Sequence, residues 1–181
     1  MLSKTLSIDI ETTGLDPYKD KMTLVGIDDG VIYHPVRTKE EFHLVLARYP
    51  NYDWVGHNFS FDIRFLIVNG WLDEDIQYNK IHCTQLMAHI YGDKVTAQSR
   101  RQEENRKLPT GHKHRQARAL SLKVLAPYFL GVEAFWETPG NHDNEEYNKK
   151  DCQHTLQLYR YFNKNFKDTE RAFYTTKMLP W

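Results

Sequence analysis

The sequence predicts an α/β layered fold with a mixed sheet, carried by a single domain over residues 1–181. Three observations lead there. Apolar runs of strand length come first, at residues 6–10, 22–27 and 31–35. From residue 53 onward, short apolar runs alternate with stretches of helical period, the pattern of strands separated by helices. A chain of 181 residues, 40% hydrophobic and 27% charged, is long enough for one substantial core and has an ordinary globular composition.

Each element has its own signal. In residues 6–10 the side chains of Leu6, Ile8 and Ile10 fall on one face and Asp9 on the other, with Glu11 following on the Asp9 side. The run ends in a turn containing Gly14, and residues 16–20 form a second turn. Asp28-Asp29-Gly30 between the next two runs is a hairpin signal. Residues 39–49 place Phe42, Val45, Leu46 and Tyr49 at helical spacing. Residues 53–56 read as a fourth strand ending at His57-Asn58. Residues 61–69 read as a helix burying Phe61, Phe65, Leu66 and Val68, stopped by Gly70. A fifth strand at 81–83 and a helix at 84–91 follow. Leu122, Leu125, Ala126 and Phe129 give residues 121–130 one apolar face, stopped by Gly131. Residues 137–141 are a loop, and from about Glu145 a long helix runs to Phe166 on a stripe of Leu156, Tyr159, Phe162 and Phe166.

Composition excludes several classes. No apolar run approaches the roughly 20 residues that cross a bilayer, so no membrane partner is expected. The N-terminal residues lead straight into the first strand, so no signal peptide is expected either. Cys83 and Cys152 are the two thiols, without a CxxC spacing; this argues against a disulfide framework or a zinc site and for a reducing cytoplasm. Net charge is zero, yet residues 93–118 hold eight Lys or Arg (Lys94, Arg100, Arg101, Arg106, Lys107, Lys113, Arg115, Arg118) against three acids. An acidic body with one basic excursion suits a metal site beside a phosphate-binding surface. Arg100, Arg101, Lys113 and Arg115 are its candidate phosphate contacts. His112 and His114 read as solvent-facing and Cys152 as a small buried residue.

The chemistry is concentrated in acids. Asp9 and Glu11 share one face of a central strand, where like charges repel and burial costs several kcal/mol in rough terms. A hard divalent cation with oxygen ligands removes that cost. Asp62 begins a helix that leaves a strand, near the edge of the sheet, where the helix N-terminus favours a carboxylate. Tyr147 and Asp151 lie four residues apart on the last long helix, about one turn along one face.

Three motifs in order, Asp9-Ile10-Glu11, Asn58-Phe59-Ser60-Phe61-Asp62 and Tyr147-Asn148-Lys149-Lys150-Asp151, resemble the DEDD 3′→5′ exonucleases, in the subclass with tyrosine in the third motif. The histidine subclass would need His at position 146, which is Glu146. The nearest likeness is to the proofreading domain of family A DNA polymerases, those of phages in particular. It implies a ribonuclease H-like three-layer fold with a central mixed five-stranded sheet flanked by helices. It also implies two divalent cations, Mg²⁺ or Mn²⁺, about 3.5–4 Å apart. On that footing Asp9 bridges the ions, Glu11 and Asp151 complete the site of the ion that activates water, and Asp62 serves the second ion. Tyr147 orients the water; with an unperturbed pKa near ~10 it is a poor base at neutral pH. The resemblance further implies that Thr12 contacts the terminal nucleotide, Leu15 wedges against the terminal bases (core being its alternative reading) and Asn58 helps fix the substrate or its own loop.

The expected activity is hydrolysis of phosphodiesters at DNA 3′ ends, single strands or frayed duplexes, releasing nucleoside 5′-monophosphates in a bacterial or phage-infected cell. A 3′→5′ exoribonuclease of the ribonuclease D type acting on RNA shares these motifs, because sugar choice depends on space around a 2′-hydroxyl. A nucleic-acid-binding module on an inactive nuclease fold is the non-enzymatic alternative. The closing stretch, residues 173–181, is similar to the Met-Pro element where such exonucleases meet a polymerase. A stand-alone nuclease, an excised proofreading domain and the separate subunit of a split polymerase all accommodate it.

Overall fold

The computed structural model describes residues 4–74, 80–91, 120–133 and 144–178. The basic excursion at 93–118, with His112 and His114, and the loop at 137–141 lie outside the described residues. Five strands form one sheet: β1 (Thr5–Thr12), β2 (Met22–Asp28), β3 (Tyr33–Val36), β4 (Asp53–Gly56) and β5 (Ile81–Cys83). Their spatial order is β3-β2-β1-β4-β5. The meander β1-β2-β3 is antiparallel, whereas β4 runs parallel to β1, and β5 to β4. The sheet is therefore mixed, with β1 at its centre.

Helices cover both faces. On one, α1 (Lys39–Leu46) and α2 (Ser60–Val68) pack Phe42, Val45, Ile63, Phe65 and Leu66 onto Leu6, Ile8, Ile10, Val25 and Ile27. On the other, α3 (Thr84–Tyr91), α4 (Leu122–Leu130) and the 22-residue α5 (Asn144–Asn165) build a second core around Met87, Leu125, Leu156, Tyr159, Phe162 and Phe166. Each fully buried Leu or Phe contributes about 1.5–3 kcal/mol, so the two cores together fix the layers. The alternation in β1 decides the site: Ile8 and Ile10 face the first core, which turns Asp9 and Glu11 away from it.

Details depart from the sequence reading for local reasons. The third strand starts at Tyr33, because Asp29 Oδ1 accepts from the N–H groups of Val31 (2.7 Å) and Ile32 (2.8 Å) and holds them in the turn. Gly30, at φ 91°, supplies the left-handed residue of that turn. Helix α1 stops at Leu46, three residues before Tyr49, and opens on a capping box in which Thr38 and Glu41 satisfy each other's backbone N–H. In α2 the buried positions are Asp62, Ile63, Phe65 and Leu66; Phe61 and Val68 are only half-buried.

After α5 come a short helix α6 (Asp168–Phe173) and a π-helical turn (Tyr174–Met178) without a sequence expectation. Buried Tyr174 ties that turn to β5, its hydroxyl accepting from Cys83 N at 3.2 Å. Among the described residues no helix is long and apolar enough to cross a membrane.

Candidate active site

Asp9 and Glu11 stand toward the C-terminal end of the central strand, past Ser7, the last β1 residue paired with β4. A shift of register between Glu11 and Thr12 ends the regular pairing with β2 there. Asp62 is brought to the same place from α2, which leaves β4 through a tight turn at Gly56–Phe59. It lies past the end of β4, which is an interior strand, and the buried Asp62 carboxylate lies against β1, accepting from Ile10 N at 3.1 Å. Asn58, in the turn, takes φ 56°, the left-handed conformation that Asn tolerates better than most residues, and its side chain is exposed. Tyr147 and Asp151 approach from α5 on the opposite face of the sheet.

The acids feel one another. Burial holds Asp9 well above the usual carboxylate range, and the charges of Asp62, Asp151 and Glu11 push it further the same way. Burial pushes Asp62 up to about 8 against the opposing Ile10 N–H, with Glu11 adding to the rise. Burial also raises Glu11, while the Asn148 amide and the Lys123 ammonium pull it down. The Tyr147 phenol is pushed upward by burial and then by Asp151, Glu11 and Asp9. Two carboxylates from one strand, one from α2 and one from α5 therefore share a single electrostatic environment with one phenol.

Two residues missed in the sequence belong to this environment. Asn148 is fully buried and donates from Nδ2 to Asp9 Oδ2 at 2.8 Å and to the Asp9 carbonyl at 3.2 Å. The available signal was a poor helix former inside a long helix, directly after Tyr147. Lys123, near the start of α4, places Nζ 5.6 Å from the centre of the Tyr147 ring. Its signal was a lone cation on an otherwise apolar helix.

The remaining expected residues divide. Thr12 Oγ1 donates to the Gly14 carbonyl at 2.6 Å and so braces the turn after β1. Leu15 is 83% exposed on that turn, which removes the core reading. Cys152 is buried, as expected of a small packing residue. Arg100, Arg101, Lys113 and Arg115 lie outside the described residues.

The donor set is all oxygen, which suits a hard divalent cation. Among the described residues, no three His, Cys, Asp or Glu side chains stand grouped as ready ligands for an ion. Asp9 lends Oδ2 to Asn148, and Asp62 lends Oδ1 to Ile10.

Sheet order, strand directions and the helical layers define a ribonuclease H-like fold. The model of the 3′-5′ exonuclease family, which carries the name of DNA polymerase A, matches residues 2–167, and the chain belongs to this family. Among solved structures, Brucella melitensis NrnC bound to pGG superposes with a TM-score of 0.61 at 19% identity, over 99% of this chain and 79% of that one. NrnC with bound Mg²⁺ gives a TM-score of 0.60 at 18% identity, over 98% and 79%. Escherichia coli RNase D, described as an exoribonuclease involved in structured RNA processing, gives 0.60 at 15% identity, over 98% of this chain and 43% of that one. No curated protein is matched by the sequence alone.

Proposed function

We propose that the chain hydrolyses phosphodiesters at the 3′ ends of DNA, single-stranded or frayed, with Asp9, Glu11, Asp62 and Asp151 holding two divalent cations. The observation that supports this most is the meeting of acids around Asp9 and Tyr147: the charges of Asp62, Asp151 and Glu11 push buried Asp9 upward, and those of Asp151, Glu11 and Asp9 push the Tyr147 phenol upward, on top of the effect of burial. When bound, a pair of Mg²⁺ or Mn²⁺ ions neutralises the phosphate and lowers the pKa of the attacking water. Asp9 and Glu11 from the central strand, Asp62 from α2 and Asp151 from α5 would hold the ions. Tyr147 stays protonated and directs the attacking water with its hydroxyl. Thr12 and Asn58 fix the terminal nucleotide, Leu15 parts the terminal bases, and Arg100, Arg101, Lys113 and Arg115 hold the trailing backbone.

A time course on a 3′-labelled single strand and on a mismatched duplex, in Mg²⁺, in Mn²⁺ and in EDTA, tests the reading. Wild-type protein should shorten both from the 3′ end, and Asp9→Ala and Asp151→Ala should leave them intact while staying folded. Full activity in either variant overturns the assignment.

A second reading has specific support. NrnC is known bound to pGG and RNase D is an exoribonuclease, which favours RNA as the substrate. Matched DNA and RNA oligonucleotides, compared by kcat/KM, separate the two. The family's name favours a polymerase domain or subunit as partner; co-purification with a polymerase encoded in the same genome is the corresponding test.

A further inference from the structure

Asn148 is fully buried, and every polar atom of its amide is engaged. Nδ2 donates to Asp9 Oδ2 at 2.8 Å and to the Asp9 main-chain carbonyl at 3.2 Å, and the amide also hydrogen-bonds the neighbouring Glu11 carboxylate. Oδ1 accepts from the Tyr33 hydroxyl at 2.8 Å and faces the Cys152 thiol at 3.9 Å. This fixes which way round the amide sits. A main-chain carbonyl can only accept, so the NH₂ must face Asp9 whatever the protonation of the Asp9 carboxyl. Tyr33 and Cys152, both able to donate, then hold the oxygen.

The surroundings are shaped for this amide. Gly26 pairs with Asp9 across the β1–β2 ladder, and a Cβ built on Gly26 would run into Asn148 Oδ1. The Lys149 ammonium lies 6.0 Å from the Tyr33 ring centre and closes the outer side of the pair. An apolar side chain at 148 would fill the space without the propensity cost of Asn in a helix, so packing alone does not select this residue.

We infer that Asn148, held by Tyr33, is the positioning residue for Asp9: its amide occupies one lone pair of Oδ2 and locks the carboxylate so that its remaining lone pairs point into the acid cluster. The inference rests on the metal-site reading proposed above. It adds a relay from edge strand β3 through α5 to the central strand. Partners that orient a ligating carboxylate typically govern metal affinity by 10–100-fold.

The experiment is calorimetric titration of metal-free full-length protein with Mn²⁺ alone, alongside its melting temperature in EDTA. Asn148→Ala should weaken Mn²⁺ binding by about 10–100-fold. Tyr33→Phe leaves Asn148 in place but removes the strong donor to its Oδ1, and should weaken binding a few-fold with a melting temperature lowered by a few degrees at most. Raising Mn²⁺ should restore cleavage by both variants, with the KM for oligonucleotide at the wild-type value. A folded Asn148→Ala that binds Mn²⁺ as wild type does overturns the inference. If Asn148→Ala fails to fold, Tyr33→Phe decides, and an unchanged Mn²⁺ dissociation constant there overturns it equally. Wild-type protein that binds no Mn²⁺ would instead overturn the metal-site reading, and the inference with it.

Discussion

The backbone N–H of Ile10 donates to Asp62 Oδ1 at 3.1 Å, across 52 residues of sequence. The bond exists because β1 outruns β4, whose pairing with it ends at Ser7. A donor on the central strand is left without a ladder partner, and an unsatisfied buried N–H costs about 1–3 kcal/mol. Helix α2 supplies a carboxylate in place of another strand.

That arrangement predicts how metal-free stability depends on pH. Burial raises Asp62 from 3.8 to about 8, so between those values the folded protein keeps a proton that the unfolded chain has released. Stability from this group is fully present below 3.8 and is lost as pH rises toward about 8. In EDTA, the melting temperature should fall as pH is raised from 5 to 9. Asp62→Asn stays neutral throughout and should flatten the fall without abolishing it, since Asp9 and Glu11 are shifted in the same direction. Added Mg²⁺ should restore stability most at the alkaline end. An Asp62→Asn curve parallel to wild type would contradict this.

Tyr147 should matter for rate and not for the pH profile. Its phenol is pushed upward from 10.0, first by burial and then by Asp151, Glu11 and Asp9, so it does not ionise near neutral pH. Tyr147→Phe removes only a hydrogen-bonding hydroxyl. Single-turnover cleavage should slow by about 10–100-fold, or about 1.4–2.7 kcal/mol of barrier. The pH–rate curve up to pH 9 should keep the wild-type shape. A lost alkaline limb in the variant would make Tyr147 a base after all.

Much of this was legible in the sequence because strand alternation and helical period are local signals. Ile8 and Ile10 facing one core already send Asp9 and Glu11 the other way, and the stripe from Leu156 to Phe166 is buried as its spacing requires. The role of Asn148 was not legible, because it depends on Tyr33, 115 residues away, and on a glycine facing it from β2. The hydrogen bond from Ile10 N to Asp62 was not legible for a similar reason: nothing local reveals that β4 lies beside β1, and the order β3-β2-β1-β4-β5 is set by long-range pairing. The π-helical turn at Tyr174–Met178 escaped because its anchor is the backbone N–H of Cys83 on β5, not a periodicity of its own.

Gly26 should prove intolerant of even one methyl group. It lies opposite Asp9, and an added Cβ would strike Asn148 Oδ1 and come within 2.9 Å of Cys152 Sγ. Neither neighbour is the free end of a flexible chain, so Gly26→Ala should cost about 1–3 kcal/mol. At about 2–4 °C per kcal/mol that loss is readable in a melting curve. Combining it with Asn148→Ala removes the atom struck, and the double variant should melt higher than the sum of the single losses implies. Strict additivity would show that the strain lies elsewhere.

Leu15 offers the cleanest separation of function from fold. It is 83% exposed, so it contributes nothing measurable to either core. The loop displaying it is nonetheless well braced: Thr13 N donates to the Lys21 carbonyl at 2.9 Å, Asp16 N to Asp20 Oδ2 at 2.8 Å, and Thr12 Oγ1 to the Gly14 carbonyl at 2.6 Å. An apolar side chain held outward on a stiff loop just past Glu11 suits a wedge between stacked bases. Leu15→Ala should leave stability within about 0.5 kcal/mol of wild type. It should cleave an unpaired 3′ end at the normal rate and a fully paired end more slowly, because parting each base step costs a few kcal/mol that the wedge helps to meet. Equal slowing on both substrates would place Leu15 in general strand binding, and no slowing on either would remove it from the site.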